Sequence, residues 1–249
     1  ALSKSTAPAL CDVVFLQPLG IEASGVHLDC KVAGGRFEAC SGEVGAGGML
    51  MDAAVHCSGS MRVCSYDENR GSFDHALARA HVGARAFEMS SLYDRFDAIG
   101  LQYGPGFRTL DRAWVEGHGL ATARLRNRSA QPAGHVHPAD LDGALSLTSL
   151  VSDRGHGGMP RLPFSVDEAR LHGASGALWA AAARQGGEAV SVFLSCRDGS
   201  SPTRLDGFKS RVLRADALAR RDLYVIKWHK LDSSAMRQTD GTDGGIAVL

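Results

Sequence analysis

The chain has 249 residues, 44% hydrophobic and 22% charged, which is enough apolar material for one or two packed domains and too much for a disordered chain. Its 27 Lys+Arg are balanced by 27 Asp+Glu, leaving no basic footprint for nucleic acid or an anionic membrane surface. No apolar run reaches the roughly 18 to 20 residues of a transmembrane helix, and the first residues lack the basic-then-apolar layout of a secretory signal, so a cytoplasmic protein that recognises partners by shape is expected.

Residues 12–19, DVVFLQPL, are β-branched and aromatic and close on Pro18, as a strand would. Residues 26–32 alternate apolar and charged side chains, Gly34-Gly35 supplies a turn and 36–40 alternate again. That pattern predicts a hairpin with one wet face. Gly45, Gly47 and Gly48 lie outside the strand-to-helix context of a phosphate loop. Another strand is expected over 51–63, interrupted at His56 and Gly59, and 65–85 hold no sustained period and read as a connection between two halves.

Ser90 and Ser91 are placed to cap a short amphipathic helix that runs to Ile99 and ends at Gly100. Residues 113–125 alternate over a long span, with a hairpin turn or bulge at Gly117 and Gly119. After Pro138, Leu141, Ala144, Leu145, Thr148 and Leu150 recur near helical spacing, with Asp140 in the first turn. A helix so nearly apolar all round is expected to be enclosed by a curved sheet. Segments 168–171, 176–183, 189–196 and 205–213 predict further strands, divided by turns such as Asp198-Gly199. Beyond Ala215 the chain turns polar and then ends in Gly244-Gly245-Ile246-Ala247-Val248-Leu249, like the first buried strand of another domain. The cysteines, Cys11, Cys30, Cys40, Cys57, Cys64 and Cys196, never fall at C-x-x-C spacing and are expected to be reduced, buried thiols, with no metal site.

Two segments, Gly100-Leu101-Gln102-Tyr103-Gly104-Pro105-Gly106-Phe107 and His137-Pro138-Ala139-Asp140-Leu141-Asp142-Gly143-Ala144-Leu145, together resemble the YGPxF and HPxxLDxAL signatures of the dehydratase domains of modular and iterative polyketide synthases. Residues 12–19, Leu162-Pro163-Phe164, Leu205-Asp206-Gly207-Phe208 with Arg211-Val212-Leu213, and 223–228 match in order and approximate spacing. The resemblance implies an α+β double hotdog, antiparallel sheets wrapping long helices, with the first hotdog incomplete in this chain. It divides the chain into 1–88, the remainder of the first hotdog and a connection; 89–215, the second hotdog; and 216–249, a linker and the start of a following ketoreductase-like domain. The family's histidine base stands in an HxxxGxxxxP motif, and none of the ten histidines here falls in that pattern. A chain truncated at its N-terminus is therefore expected, inactive alone. At Ser146, four residues after Asp142, the family usually carries Gln or His, either of which reaches further than a serine.

Dehydration of a β-hydroxyacyl thioester needs one group to take the α proton and another to give a proton to the departing hydroxyl. The resemblance assigns the second role to Asp142. Read alone, Asp142 is a helix-start carboxylate, and its pKa is pulled up by burial and down by the helix dipole. Tyr103, Gly104 and Pro105 are expected in a turn lining a substrate tunnel, with Phe107 packed behind; His137 and Pro138 set the entry to the helix beside the substrate. Ser146 joins them, and Leu162, Pro163 and Phe164 line the tunnel or pack in the core. The substrate would be a β-hydroxyacyl chain on an acyl carrier protein, whose phosphopantetheine arm the carrier brings, with no cofactor bound directly. Neighbouring synthase domains and a second copy, as a homodimer, are the other implied partners. The competing readings are an inactive dehydratase-like scaffold or dimerisation domain and an isomerase or cyclase built in the same pocket.

Overall fold

The computed structural model describes residues 6–19, 26–45, 48–65, 85–117, 119–127, 136–151, 159–173, 177–196 and 203–212. They belong to one compact unit, Ala1–Leu213. The expected turn at Asp198-Gly199, the stretch beyond Ala215 and most of the expected connection at 65–85 lie outside the described residues. The strands are β1 (Thr6–Phe15), β2 (His27–Ala33), β3 (Arg36–Val44), β4 (Leu50–Ser65), β5 (Arg85–Phe87), β6 (Leu110–Glu116), β7 (Leu120–Leu125), β8 (Arg161–Arg170), β9 (Leu178–Gly186), β10 (Ala189–Cys196) and β11 (Thr203–Val212). Among the described residues three helices accompany them: α1 (Met89–Ala98), α2 (Pro138–Ser146) and α3 (Thr148–Val151). None is long and apolar enough to cross a membrane.

The eleven strands form one antiparallel sheet in the order β2-β3-β4-β1-β8-β11-β10-β9-β7-β6-β5. The β2–β3 hairpin turns at Gly34-Gly35, both at positive φ, where glycine carries no Cβ penalty. Its alternation is as the sequence indicates, yet both faces of β2 are exposed rather than one. β2 is an edge strand of the sheet. β1 begins six residues earlier than expected and ends at Phe15, because the chain then leaves the ladder: the Gln17 side chain donates to the Val55 carbonyl. Pro8 fits in β1 since it pairs only with β4, before the β8 pairing begins at Leu10. β8 also begins earlier than expected, at Arg161.

The core gathers on α2 and α3 and the strands under them. Ala139 and Ala144 of α2 are buried, as are Ala180, Ala182, Val192 and Leu194 of β9 and β10. Small alanines on the strands let the helix approach closely, and each fully buried leucine, such as Leu110 or Leu147, contributes about 1.5–3 kcal/mol. The expected single long helix is interrupted at Leu147. Three hydroxyls there compete for its carbonyls: Ser146 donates to Asp142 (3.0 Å), Thr148 to Leu145 (2.7 Å) and Ser149 to Ser146 (2.8 Å). In α1 the N-cap is Glu88 rather than a serine; Ser90 donates to its carboxylate at 2.9 Å. Of the cysteines whose side chains are described, Cys11 and Cys40 are buried, whereas Cys30 is exposed and Cys57 and Cys196 lie between, so the expectation of uniformly buried thiols is corrected.

Candidate active site

α2 starts at Pro138, whose missing N–H costs nothing in the first turn, and His137 caps it by accepting the Ala139 N–H on Nδ1 at 3.1 Å. That start fixes the rotation of the helix. Asp140, fully buried, takes the inner position, and Asp142, half a turn on, reaches a groove between α2, the end of α1 and the strands β8 and β11. The groove encloses about 620 Å³, open mouth included. Most of its wall is apolar, from Phe96, Ile99, Leu101, Leu145, Met159, Pro163 and Phe208.

Tyr103 enters the same groove. The turn after it, Pro105-Gly106-Phe107, is closed by the Phe107 N–H donating to the Gly104 carbonyl at 3.0 Å, and it sends the chain into β6 while the tyrosine points back. Tyr93 and Phe96 of α1 hold the Tyr103 ring, with centroids at 5.8 and 5.2 Å, and Arg108 Nε donates to the Tyr103 carbonyl at 2.8 Å. The Tyr103 hydroxyl lies close enough to the Asp142 carboxyl to favour its charged form. Ser146 donates to the Asp142 backbone carbonyl at 3.0 Å and stands 3.4 Å from the Tyr103 hydroxyl. Ser146, where the resemblance leads one to expect Gln or His, thus spends its hydroxyl on the helix backbone and not on the Asp142 carboxyl.

Burial raises the Asp142 carboxyl from 3.8 to about 6, against the lowering hydrogen bond from Tyr103. Its Oδ2 is buried without a hydrogen-bond partner. Desolvation therefore exceeds the helix dipole, whose influence fades beyond the first turn. Burial, and then the Asp142 charge, push the Tyr103 phenol up, so it stays a donor. The arrangement is a carboxyl half protonated at about pH 6 and about one-tenth protonated at pH 7, beside a phenol in a mostly apolar groove.

Of the residues singled out in the sequence, Tyr103, Asp142, Ser146 and Pro163 share this groove. Gly104, Pro105, His137, Pro138, Leu162 and Phe164 are not on its wall. Phe107 is 48% exposed at the turn rather than packed behind it, and Phe164 lies under the Arg211 guanidinium. Gly45 and Gly48 stand at the β3–β4 connection, where the Gly45 N–H donates to the Met49 carbonyl and the Gly48 N–H to the Gly45 carbonyl; Gly47 lies outside the described residues. Sequence reasoning missed Phe96, Met159, Arg161, Phe208 and Ser210, all on the wall. Their one prior signal was the match of Leu162-Pro163-Phe164 and Leu205-Asp206-Gly207-Phe208, which pair as β8 and β11.

A family model described as the polyketide synthase dehydratase N-terminal domain matches residues 74–220. Among curated proteins, polyketide synthase ThaG of Burkholderia thailandensis is 38% identical over 139 residues, 55% of this chain and 2% of that protein. The spectinabilin polyketide synthase system protein NorB of Streptomyces orinoci is 32% identical over 171 residues, 67% of this chain and 8% of that protein. The chain thus spans a small part of these relatives. Among solved structures, the dehydratase domain from the CurF module of curacin polyketide synthase superposes with a TM-score of 0.70 at 21% identity, covering 85% of this chain and 78% of that one. An inactive aspartate-to-asparagine mutant of the CurK dehydratase gives 0.71 at 18%, covering 86% and 79%. The fold they share is the double hotdog.

Proposed function

Because the chain belongs to the polyketide synthase dehydratase family, we propose that the Asp142 groove is the acid half of a site that eliminates water from a β-hydroxyacyl thioester. The observation that carries this reading is the Asp142 carboxyl itself: half-buried, its Oδ2 buried and unpartnered, and raised to about 6 in a mostly apolar groove. In the elimination a base takes the α proton, the C–H electrons form the Cα–Cβ double bond, and the hydroxyl departs as water with the Asp142 proton. Tyr103 then holds the resulting carboxylate. The reading assigns the base to a histidine outside these 249 residues, since none here lies in an HxxxGxxxxP pattern. Two CurK dehydratase neighbours, inactive as a histidine-to-phenylalanine and an aspartate-to-asparagine mutant, support a His/Asp pair.

The same reading supplies the partners. An acyl carrier protein presents the acyl chain on its phosphopantetheine arm, neighbouring synthase domains flank the chain, and two copies pair. It also keeps the division at 88 and 215. The test uses turnover and stability on one preparation. The chain 1–249 gives no enoyl product from a β-hydroxyacyl thioester, because losing one proton-transfer partner removes about 10² to 10⁴ in rate. In a protein extended to include the histidine, turnover appears and Asp142→Asn abolishes most of it without lowering the melting temperature. An extended protein that binds the thioester without turnover favours the scaffold reading, and a shifted double bond or a ring favours the isomerase or cyclase.

A further inference from the structure

Besides Asp142, the groove wall carries one other charged side chain among the described residues, Arg161 at the start of β8. Ser210 of β11 holds it by two bonds, Nε to the Ser210 hydroxyl at 3.0 Å and Nη2 to the Ser210 carbonyl at 2.5 Å. Pro163 stands opposite Ser210 in the ladder, and lacking an N–H it leaves that carbonyl to the guanidinium. Both bonds lie on the Nε–Nη2 edge, so the Nη1 end keeps its donors. A partly buried cation beside an apolar wall favours an oxygen acceptor at that end. Asp142 is not that acceptor: burial and Tyr103 account for its shift, without Arg161. The groove therefore has two separate polar stations.

We propose that Arg161 forms a second binding subsite, holding an oxygen acceptor of the bound acyl thioester at a distance from the reacting carbon. This rests on the reading of the groove as an acyl-thioester site. The acceptor is a carbonyl or hydroxyl on the distal acyl chain or a phosphate oxygen of the carrier's arm, and the experiment separates the two. Binding of three probes to the chain 1–249 is measured by calorimetry: a simple 3-hydroxyacyl N-acetylcysteamine thioester, the same thioester with an oxygen further along the chain, and the simple acyl chain on phosphopantetheine.

The parent is expected to bind one of the two acceptor-bearing probes about ten- to hundredfold more tightly than the simple one, the weight of one hydrogen bond to a charged group. Arg161→Met erases that difference while leaving the simple thioester unchanged, and Arg161→Lys, which keeps the charge and loses the fork, recovers only part. A loss confined to the oxygenated chain places the acceptor on the acyl group; a loss confined to the phosphopantetheine probe places it on the arm. Equal affinities across the probes, or an Arg161→Met that lowers all three alike, overturn the subsite. Binding of no probe by the parent overturns the reading of the groove itself, a separate failure.

Discussion

Asp142 is the residue at which burial and chemistry meet, and its protonation makes a stability prediction with a sign. Folding raises its pKa from 3.8 to about 6, so between those values the folded chain holds a proton that the unfolded chain has released. The contribution of Asp142 to stability is therefore fully present below about pH 4 and lost as pH rises through 6. Two full units would correspond to about 3 kcal/mol, and the open mouth of the groove reduces this to the order of 1–2 kcal/mol. Asp142→Asn is expected to be more stable than the parent at pH 7.5 by that amount and equal to it at pH 4, measured by urea melts at both values. A variant less stable at pH 7.5 would place the helix dipole ahead of desolvation. Asp142 was legible in the sequence as a candidate through the motif that carries the resemblance, and the structure sets it in the groove. Its partner was not: Tyr103 reads as a tunnel wall, because spacing shows what shares a face of one helix and not what two distant segments bring together. Arg161 stayed hidden for the same reason, its role depending on Ser210 across the ladder.

At the scale of the element, α2 depends on Gly143. A Cβ at that position would fall far inside contact distance of Thr109 Oγ1, which itself donates to the Ala139 carbonyl at 3.2 Å. Mid-helix glycine costs up to about 1 kcal/mol relative to alanine, so its presence here reflects space rather than propensity. Gly143→Ala is expected to destabilise by about 1–3 kcal/mol through overpacking. Adding Thr109→Ala should recover part of that loss, a coupling that thermal melts of the four proteins would measure. Gly143→Ala melting above the parent would mean that the helix shifts freely against β6. Element types were readable wherever period decides, as at β2, β3, β6 and β7. Boundaries failed where a side chain competes with the backbone: the hydroxyls of Ser146, Thr148 and Ser149 interrupt an apolar period that reads as continuous. The strand expected over 168–171 begins at Arg161 in β8, and the sheet accepts Pro163 there because it stands past the last β1 pairing, Val14 with Ser165.

The whole sheet turns on one seam. β1 belongs by its β4 pairing to the first half and β8 by its β11 pairing to the second, and they join through Leu10–Ala169, Cys11–Glu168, Val13–Val166 and Val14–Ser165. The enclosure of α2 by a curved sheet was legible in the apolar period and the double hotdog in the family resemblance, but the seam was in neither. It pairs residues far apart in the chain, and the expected strand beginning at 168 omitted half of it. Val13 and Val166 are 5% and 2% exposed, packed against each other across the seam in the common core. A seam made of backbone ladder and buried side chains couples the halves, so unfolding should be one cooperative event. Two local probes can follow it separately: reactivity of the buried Cys40 thiol in the first half, and the exciton signal of the stacked Trp114 and Trp179 indoles, 5.8 Å apart, in the second. Both are expected to change at the same urea concentration. Val166→Ala should lower both midpoints together, by about 1–3 kcal/mol for a buried valine whose cavity only partly collapses. If Cys40 became reactive while the indole stack persisted, the first half would be opening on its own and the β1–β8 ladder would be a contact between two folding units rather than the spine of one.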